Sequence, residues 1–160
     1  MTHHHSTSRP YPILPHLFDT PVSLRLQASD AQSDTLLRNV HLLRDSIALA
    51  QRQWDFDIWA AVVLPSELQM MAVFQAGEFG IRQAMAMVQR TFDRHVSGEW
   101  AGWDGPADLV SVDPAAARVR KAFIEAAPVR RGLVARPGDW PYSSAQSTAV
   151  QATQLGTAVA

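Results

Sequence analysis

The chain contains no cysteine. That excludes disulfide stapling and thiolate chemistry and leaves cytoplasm as the default compartment. It also lacks any apolar run near the ~20 residues needed to span a bilayer, and its N-terminus shows no hydrophobic signal core, so a membrane role is not expected. Nor does it have an excess of basic charge. The formal net charge is −1, which argues against a broadly basic nucleic-acid protein, because phosphate binding is driven by Lys and Arg. At 160 residues and 47% hydrophobic, the length suits one domain with a real core and not two.

Charge is nevertheless distributed unevenly. Between Pro114 and Gly138 there are six basic residues (Arg118, Arg120, Lys121, Arg130, Arg131 and Arg136) against one acid, Glu125. Such a cluster is either a phosphate-facing patch or a solvated helix face. Both ends of the chain read as loose tails. Residues 1–20 carry His3-His4-His5 and several prolines without periodicity, and the histidine run is better read as a partial tag or solvated segment than as a metal site. Residues 146–160 are mostly Ala, Thr, Gln, Val and Gly without pattern. The domain is therefore expected over 21–145.

Within that span, strands and helices alternate. Val22, Leu24 and Leu26 lie on one face of a strand over Pro21–Gln27. Ser33 can cap a helix starting at Asp34, whose stripe is Leu36, Val40, Leu43 and Ile47. Ile58–Leu64 is an apolar central strand, broken by Pro65-Ser66 and followed by a second strand in which Leu68, Met70, Ala72 and Phe74 alternate with Glu67, Gln69, Met71 and Val73. Phe79–His95 is helical, with Ile81, Met85, Val88 and Phe92 on one stripe, and Leu109–Val112 is a short strand. Asp113 then caps a helix with Pro114 at its first position, and that helix should end before Pro128. The order is β-α-β-β-α-β followed by a helix. It predicts an α+β, ferredoxin-like fold: an antiparallel sheet with helices on one face plus a C-terminal helix. This fold hosts many unrelated activities and does not fix function by itself.

Two segments carry a more specific signal. One reads Trp59-Ala-Ala-Val-Val-Leu-Pro-Ser-Glu67-Leu-Gln69-Met-Met-Ala-Val, the other Phe123-Ile-Glu125-Ala-Ala127-Pro-Val-Arg-Arg-Gly-Leu-Val-Ala-Arg-Pro-Gly-Asp-Trp-Pro-Tyr-Ser-Ser144. Together they resemble the REP-associated tyrosine transposases, a branch of the HUH single-strand DNA transposases, whose corresponding stretches read roughly Val-Val-Leu-Pro-Asp-His-Leu-His and Tyr-Ile-His-Phe-Asn-Pro-Val-Lys-His-Gly-Leu-Val. The likeness is strong over 128–144, moderate over 62–69 and weak around Trp100 and Trp103. The family's basic N-terminal arm is absent.

The resemblance implies a metal-dependent DNA strand transferase. In such an enzyme two histidines, at i and i+2 of a strand, converge on a divalent cation because alternate strand residues share a face. A helical tyrosine attacks the scissile phosphate, and an amide one turn later often completes the ligands. The positions that match are Glu67, Gln69, Phe123 and Ala127. Glu67 and Gln69 keep the spacing and carry oxygen donors able to hold Mg²⁺ weakly; alternatively they line a wet cleft or an exposed strand face. Phe123 has no hydroxyl, and no pKa adjustment restores a missing nucleophile. Tyr11 falls in the N-terminal tail, and Tyr142 belongs to the Trp-Pro-Tyr-Ser-Ser run. Ala127 ligates nothing.

The resemblance therefore implies a transposase-like DNA-binding protein without catalysis. It would bind single-stranded or hairpin DNA through Arg118, Arg120, Lys121, Arg130, Arg131 and Arg136, with Trp100 or Trp103 either stacking a base or packing internally. No cofactor is expected, Mg²⁺ or Mn²⁺ entering only with residual family activity. Homodimerisation is open. The alternatives are an active enzyme with substituted ligands, a protein-interaction module, and a decayed gene product.

Overall fold

The computed structural model describes residues 20–75 and 77–146. Tyr11, the His3-His4-His5 run and nearly all of both expected tails lie outside them. Four strands form one antiparallel sheet: β1 (Val22–Gln27), β2 (Phe56–Val63), β3 (Glu67–Phe74) and β4 (Asp108–Ser111), in the order β2-β3-β1-β4. The helices are α1 (Thr35–Arg38), α2 (Val40–Trp54), α3 (Gly77–His95), α4 (Ala117–Glu125) and α5 (Ala127–Arg130). The expected ferredoxin-like α+β arrangement is therefore the observed one. No helix among the described residues is long and apolar enough to cross a membrane.

Local chemistry explains most element ends. The helix begins at Thr35 with Asp34 in the cap position, one residue later than expected, and Ser33 Oγ accepts from the Thr35 N–H at 3.1 Å just ahead of it. The helix that follows is broken at Asn39, whose side chain bonds Thr35 O and Ser97 O instead of standing clear of the backbone. Asp113 Oδ1 accepts from Ala115 N–H at 2.9 Å, and the Pro114–Ala116 turn it caps runs directly into α4. The helix α4 ends at Glu125, before Pro128 as expected, and the chain then turns once more. It makes the single turn of α5 with Pro128 in its first two positions, where the missing N–H has no intrahelical partner to lose.

The sheet is covered on both faces. Val22, Leu24 and Leu26 of β1 and Leu68, Met70, Ala72 and Phe74 of β3 pack against Leu43 and Ile47 of α2 and Ile81, Met85, Val88 and Phe92 of α3. Trp100 and Trp103 belong to this side. Each ring meets Phe92 edge-on, with centroids 5.1 and 5.3 Å away, and their N–H groups reach Asp93 and Gln89 O. Both rings therefore pack internally.

The second face is a smaller core of Ala60, Val62, Leu64, Met71 and Val112 under Ala117, Ile124 and Ala127. The C-terminal helix α4 is thus the element opposite α2 and α3, and β3 is buried along nearly its whole length because both faces are occupied. This helix lies over β2 and β3, leaving the same face of β1 and β4 open beside it.

The outer edge of β2 is closed by the C-terminal run. Val63 N–H donates to Tyr142 O, Ser144 N–H to Ala61 O, and Trp140 Nε1 to Val63 O at 2.8–2.9 Å. A bulge between Ile58 and Ala60 interrupts the β2–β3 ladder, and the Trp59 carbonyl there accepts from Lys121 Nζ at 2.9 Å. Ser144 Oγ donates to Glu125 Oε1 at 2.7 Å, joining strand edge and helix. Since Ile124 is the main buried anchor of α4, Ile124→Ala should cost about 2–4 kcal/mol in urea unfolding through cavity formation. Val119→Ala, on the exposed side of the same helix, should change stability by under about 0.5 kcal/mol.

Candidate nucleic-acid interface

The central feature of the second face is a buried carboxylate. Glu67 opens β3 and is 0% exposed. Its Oε1 accepts from Gln69 Nε2 at 2.7 Å and from Arg131 Nη2. Its Oε2 lies 3.8 Å from Arg25 Nη1, an ion pair too long for a hydrogen bond, and has no hydrogen-bond partner among the described residues. Of the expected alternatives for Glu67, neither a wet cleft nor an exposed strand face holds. A fully buried charge is stable only when paired, and the pairing comes from two guanidiniums.

Arg131 reaches this position because of how α5 ends. Gly132, with φ of 70°, donates to Val129 O, and Leu133 N–H donates to Pro128 O. That is a Schellman closure, which needs a left-handed residue after the cap and so favours glycine. Arg131 is the cap residue, and the closure places it over the start of β3. Arg25 arrives from β1, where it pairs in register with Gln69 on one side and Asp108 on the other. Its Nη2 donates to Asp108 Oδ2 at 3.2 Å. Sequence reasoning did not find Arg25. The available signal was a charged residue on the polar side of the first strand, whose significance depends on that strand becoming an inner one.

Phe123 lies on α4 and is 52% exposed. The Arg130 guanidinium sits 3.8 Å from the ring centroid and donates to Phe123 O at 2.6 Å; Arg120 lies 5.7 Å from the centroid. Phe123, Arg120, Gln69, Arg25, Asp108 and Val110 line one cleft of about 270 Å³ between α4 and the open β1–β4 part of the sheet. Three of the positions picked out from sequence (Gln69, Arg120 and Phe123) are therefore brought together, with Glu67 at the adjoining end of β3. Ala127 is buried in the second core.

The basic cluster is not one surface. Arg118, Arg120 and Arg130 make no ion pair among the described residues, whereas Lys121 pairs with Glu125 at 3.0 Å and Arg136 with Asp139 at 3.4 Å. Arg131 is committed to Glu67. A larger hollow of about 590 Å³ lies near Trp100, but Asp30, Asp34 and Glu99 line it against Arg38 alone. That charge balance is wrong for phosphate.

The resemblance raised a divalent cation, and the residues do not fit one. The carboxylate nearest the expected position already faces two guanidiniums, and a cation about 2.0–2.1 Å from its oxygens would be pressed against like charge. The Gln69 amide turns its N–H₂ to Glu67, since a carboxylate only accepts. Ala127 has no donor atom. No group of three or more His, Cys, Asp or Glu side chains suited to a metal occurs among the described residues.

No protein-family model and no curated protein matches this chain. Among solved structures, the chain is similar to a REP-associated tyrosine transposase bound to a REP hairpin, with a TM-score of 0.73 and 21% identity over 90% of this chain and 82% of that one. At that identity the likeness carries the fold.

Arg131→Ala leaves a buried carboxylate with only Gln69 and distant Arg25. Because Arg131 itself is 43% exposed, the loss should fall at or below the low end of buried-pair values, about 2–3 kcal/mol in chemical denaturation. Arg131→Lys should recover only part of it, as a point charge cannot reproduce the planar fork.

Proposed function

We propose that this chain is a transposase-like DNA-binding domain that holds single-stranded or hairpin DNA and does not cut it. The observation that carries the reading is the Phe123 cleft. An exposed aromatic ring flanked by Arg120 and Arg130 stands on the helix where the resembled family places its nucleophile, and the position offers a π-face and positive charge but no attacking oxygen. The likeness in fold to a protein solved on a REP hairpin supports the substrate class. Arg118, Arg120 and Arg130 are the cations best able to meet phosphate, since no carboxylate neutralises them among the described residues. A cytoplasmic location, where DNA is accessible, belongs to the same reading.

One observation favours a second reading, self-association. The sheet ends on β4, whose outer edge pairs with no strand among the described residues, and Val110 there is exposed. Exposed strand edges recruit further strands. Sedimentation that shows a monomer independent of concentration would remove this reading.

Fluorescence anisotropy with labelled hairpin, single-stranded and duplex DNA tests the main proposal. Hairpin and single strand should bind more tightly than duplex, with affinity falling steeply as salt rises; equal, salt-insensitive binding of all three would remove the DNA reading. On denaturing gels with Mg²⁺ or Mn²⁺ no covalent adduct should form. The same is expected of Phe123→Tyr, because restoring the hydroxyl does not free the carboxylate from its guanidiniums. An adduct from either protein would show that strand-transfer chemistry survives.

A further inference from the structure

We infer that the cleft between α4 and the open β1–β4 part of the sheet is a metal-independent subsite for one phosphate of a single strand and the unpaired base beside it, with arginines supplying the positive charge. This rests on the DNA-binding reading above and specifies where and how the strand is held.

The charge is built in. Arg25 and Arg120 line the cleft together with one carboxylate, Asp108, while Arg130 stacks on the Phe123 ring and Arg131 pairs with the neighbouring Glu67. Glu67 Oε1 accepts from Arg131 and Gln69, while Oε2, which has no hydrogen bond among the described residues, faces the Arg25 guanidinium at 3.8 Å, so the positive charge beside this carboxylate comes from the protein. Arg25 makes two incomplete contacts, at 3.2 Å to Asp108 and 3.8 Å to Glu67. Neither is the bidentate pairing that fixes a guanidinium most firmly. A phosphate entering the cleft offers Arg25 and Arg120 a better acceptor than Asp108 does.

The aromatic component is also prepared. Arg130 holds the Phe123 ring by stacking and anchors itself to the Phe123 carbonyl, so a base meets a ring already oriented. A volume of about 270 Å³ falls just under the roughly 300–1,000 Å³ of ordinary small-molecule sites. It suits a phosphate with one base and not a duplex, and stacking needs a base whose face is free. Asp108 is the restraining element: it occupies Arg25 and repels phosphate until displaced.

The test uses the intact chain and fluorescein-labelled oligothymidylate, with anisotropy recorded in EDTA and in Mn²⁺ at matched ionic strength. Affinity should be the same in both. Phe123→Ala should weaken binding about tenfold, and Arg120→Gln should reduce the salt slope by about one phosphate contact. Asp108→Asn should tighten binding about threefold, the opposite of what loss of a merely structural ion pair would do. Both exposed-site variants, Phe123→Ala and Asp108→Asn, are checked for wild-type thermal melts.

Binding that requires Mn²⁺ overturns the inference. So does wild-type affinity in Phe123→Ala and Arg120→Gln, and if hairpin binding persists in that case the DNA reading stands with its site elsewhere. Failure of the intact chain to bind any single strand or hairpin at low salt overturns both.

Discussion

A carboxylate sealed inside a sheet-and-helix interface sets conditions that its surroundings must meet. Glu67 has no access to water, and an unpaired ion there would cost several kcal/mol. Its partners come from three separate parts of the chain: Gln69 two residues on, Arg25 across the β1–β3 register, and Arg131 at the end of α5. Removing any one shifts the burden to the others. The pairing with Arg131 also decides where the C-terminal elements go. For that guanidinium to reach β3, α5 must follow α4 without a break and close at Gly132. The same docking buries Ile124 and Ala127 and leaves Phe123 at the rim of the cleft.

The C-terminal run reinforces this from the opposite side. Trp140, Tyr142 and Ser144 bond the outer edge of β2, and Ser144 reaches Glu125, which in turn holds Lys121. These contacts account for the two recognisable stretches of sequence lying side by side: residues 59–69 build the strand pair, and residues 123–144 pack across it. The segment 128–144 carries several geometric duties at once. Proline permits the α5 turn, glycine closes it, the arginine before that glycine pairs with Glu67, and the aromatic residues close the sheet edge.

Much of the architecture was legible because alternation and helical stripes report burial directly. Val22, Leu24 and Leu26, and likewise Ile81, Met85, Val88 and Phe92, fall on the core faces that their spacing indicates. The break at Asn39 was not legible, since it depends on a side-chain bond to Ser97, far away in sequence. The end of α4 before Pro128 was legible, but the extra turn of α5 was not, because a proline at the start of a turn has no intrahelical N–H bond to lose. The basic cluster misled for a further reason. Six cations close in sequence read as one surface, yet Lys121, Arg131 and Arg136 are each taken by a carboxylate. Arg25, which carries much of the cleft's charge, lies outside the cluster. Same-strand spacing identified Glu67 and Gln69 as neighbours but could not reveal that the charge beside them is organic.

That substitution has chemical consequences. A guanidinium and a divalent cation both attract phosphate, and both neutralise a buried carboxylate. They differ in what they do to bonded oxygen. A metal draws electron density as a Lewis acid and can activate a bound water or hydroxyl, whereas arginine donates hydrogen bonds and remains protonated throughout. On the proposed reading, a site built on Arg25 and Arg120 keeps the part of phosphate recognition that depends on charge and geometry, and gives up the part that lowers a barrier. Phe123 follows the same division: the ring retains stacking and packing, while the missing oxygen removes attack. Recognition and chemistry are thus separable in this fold because they draw on different atoms at overlapping positions. On the proposed reading, the cleft of this chain holds those that serve recognition.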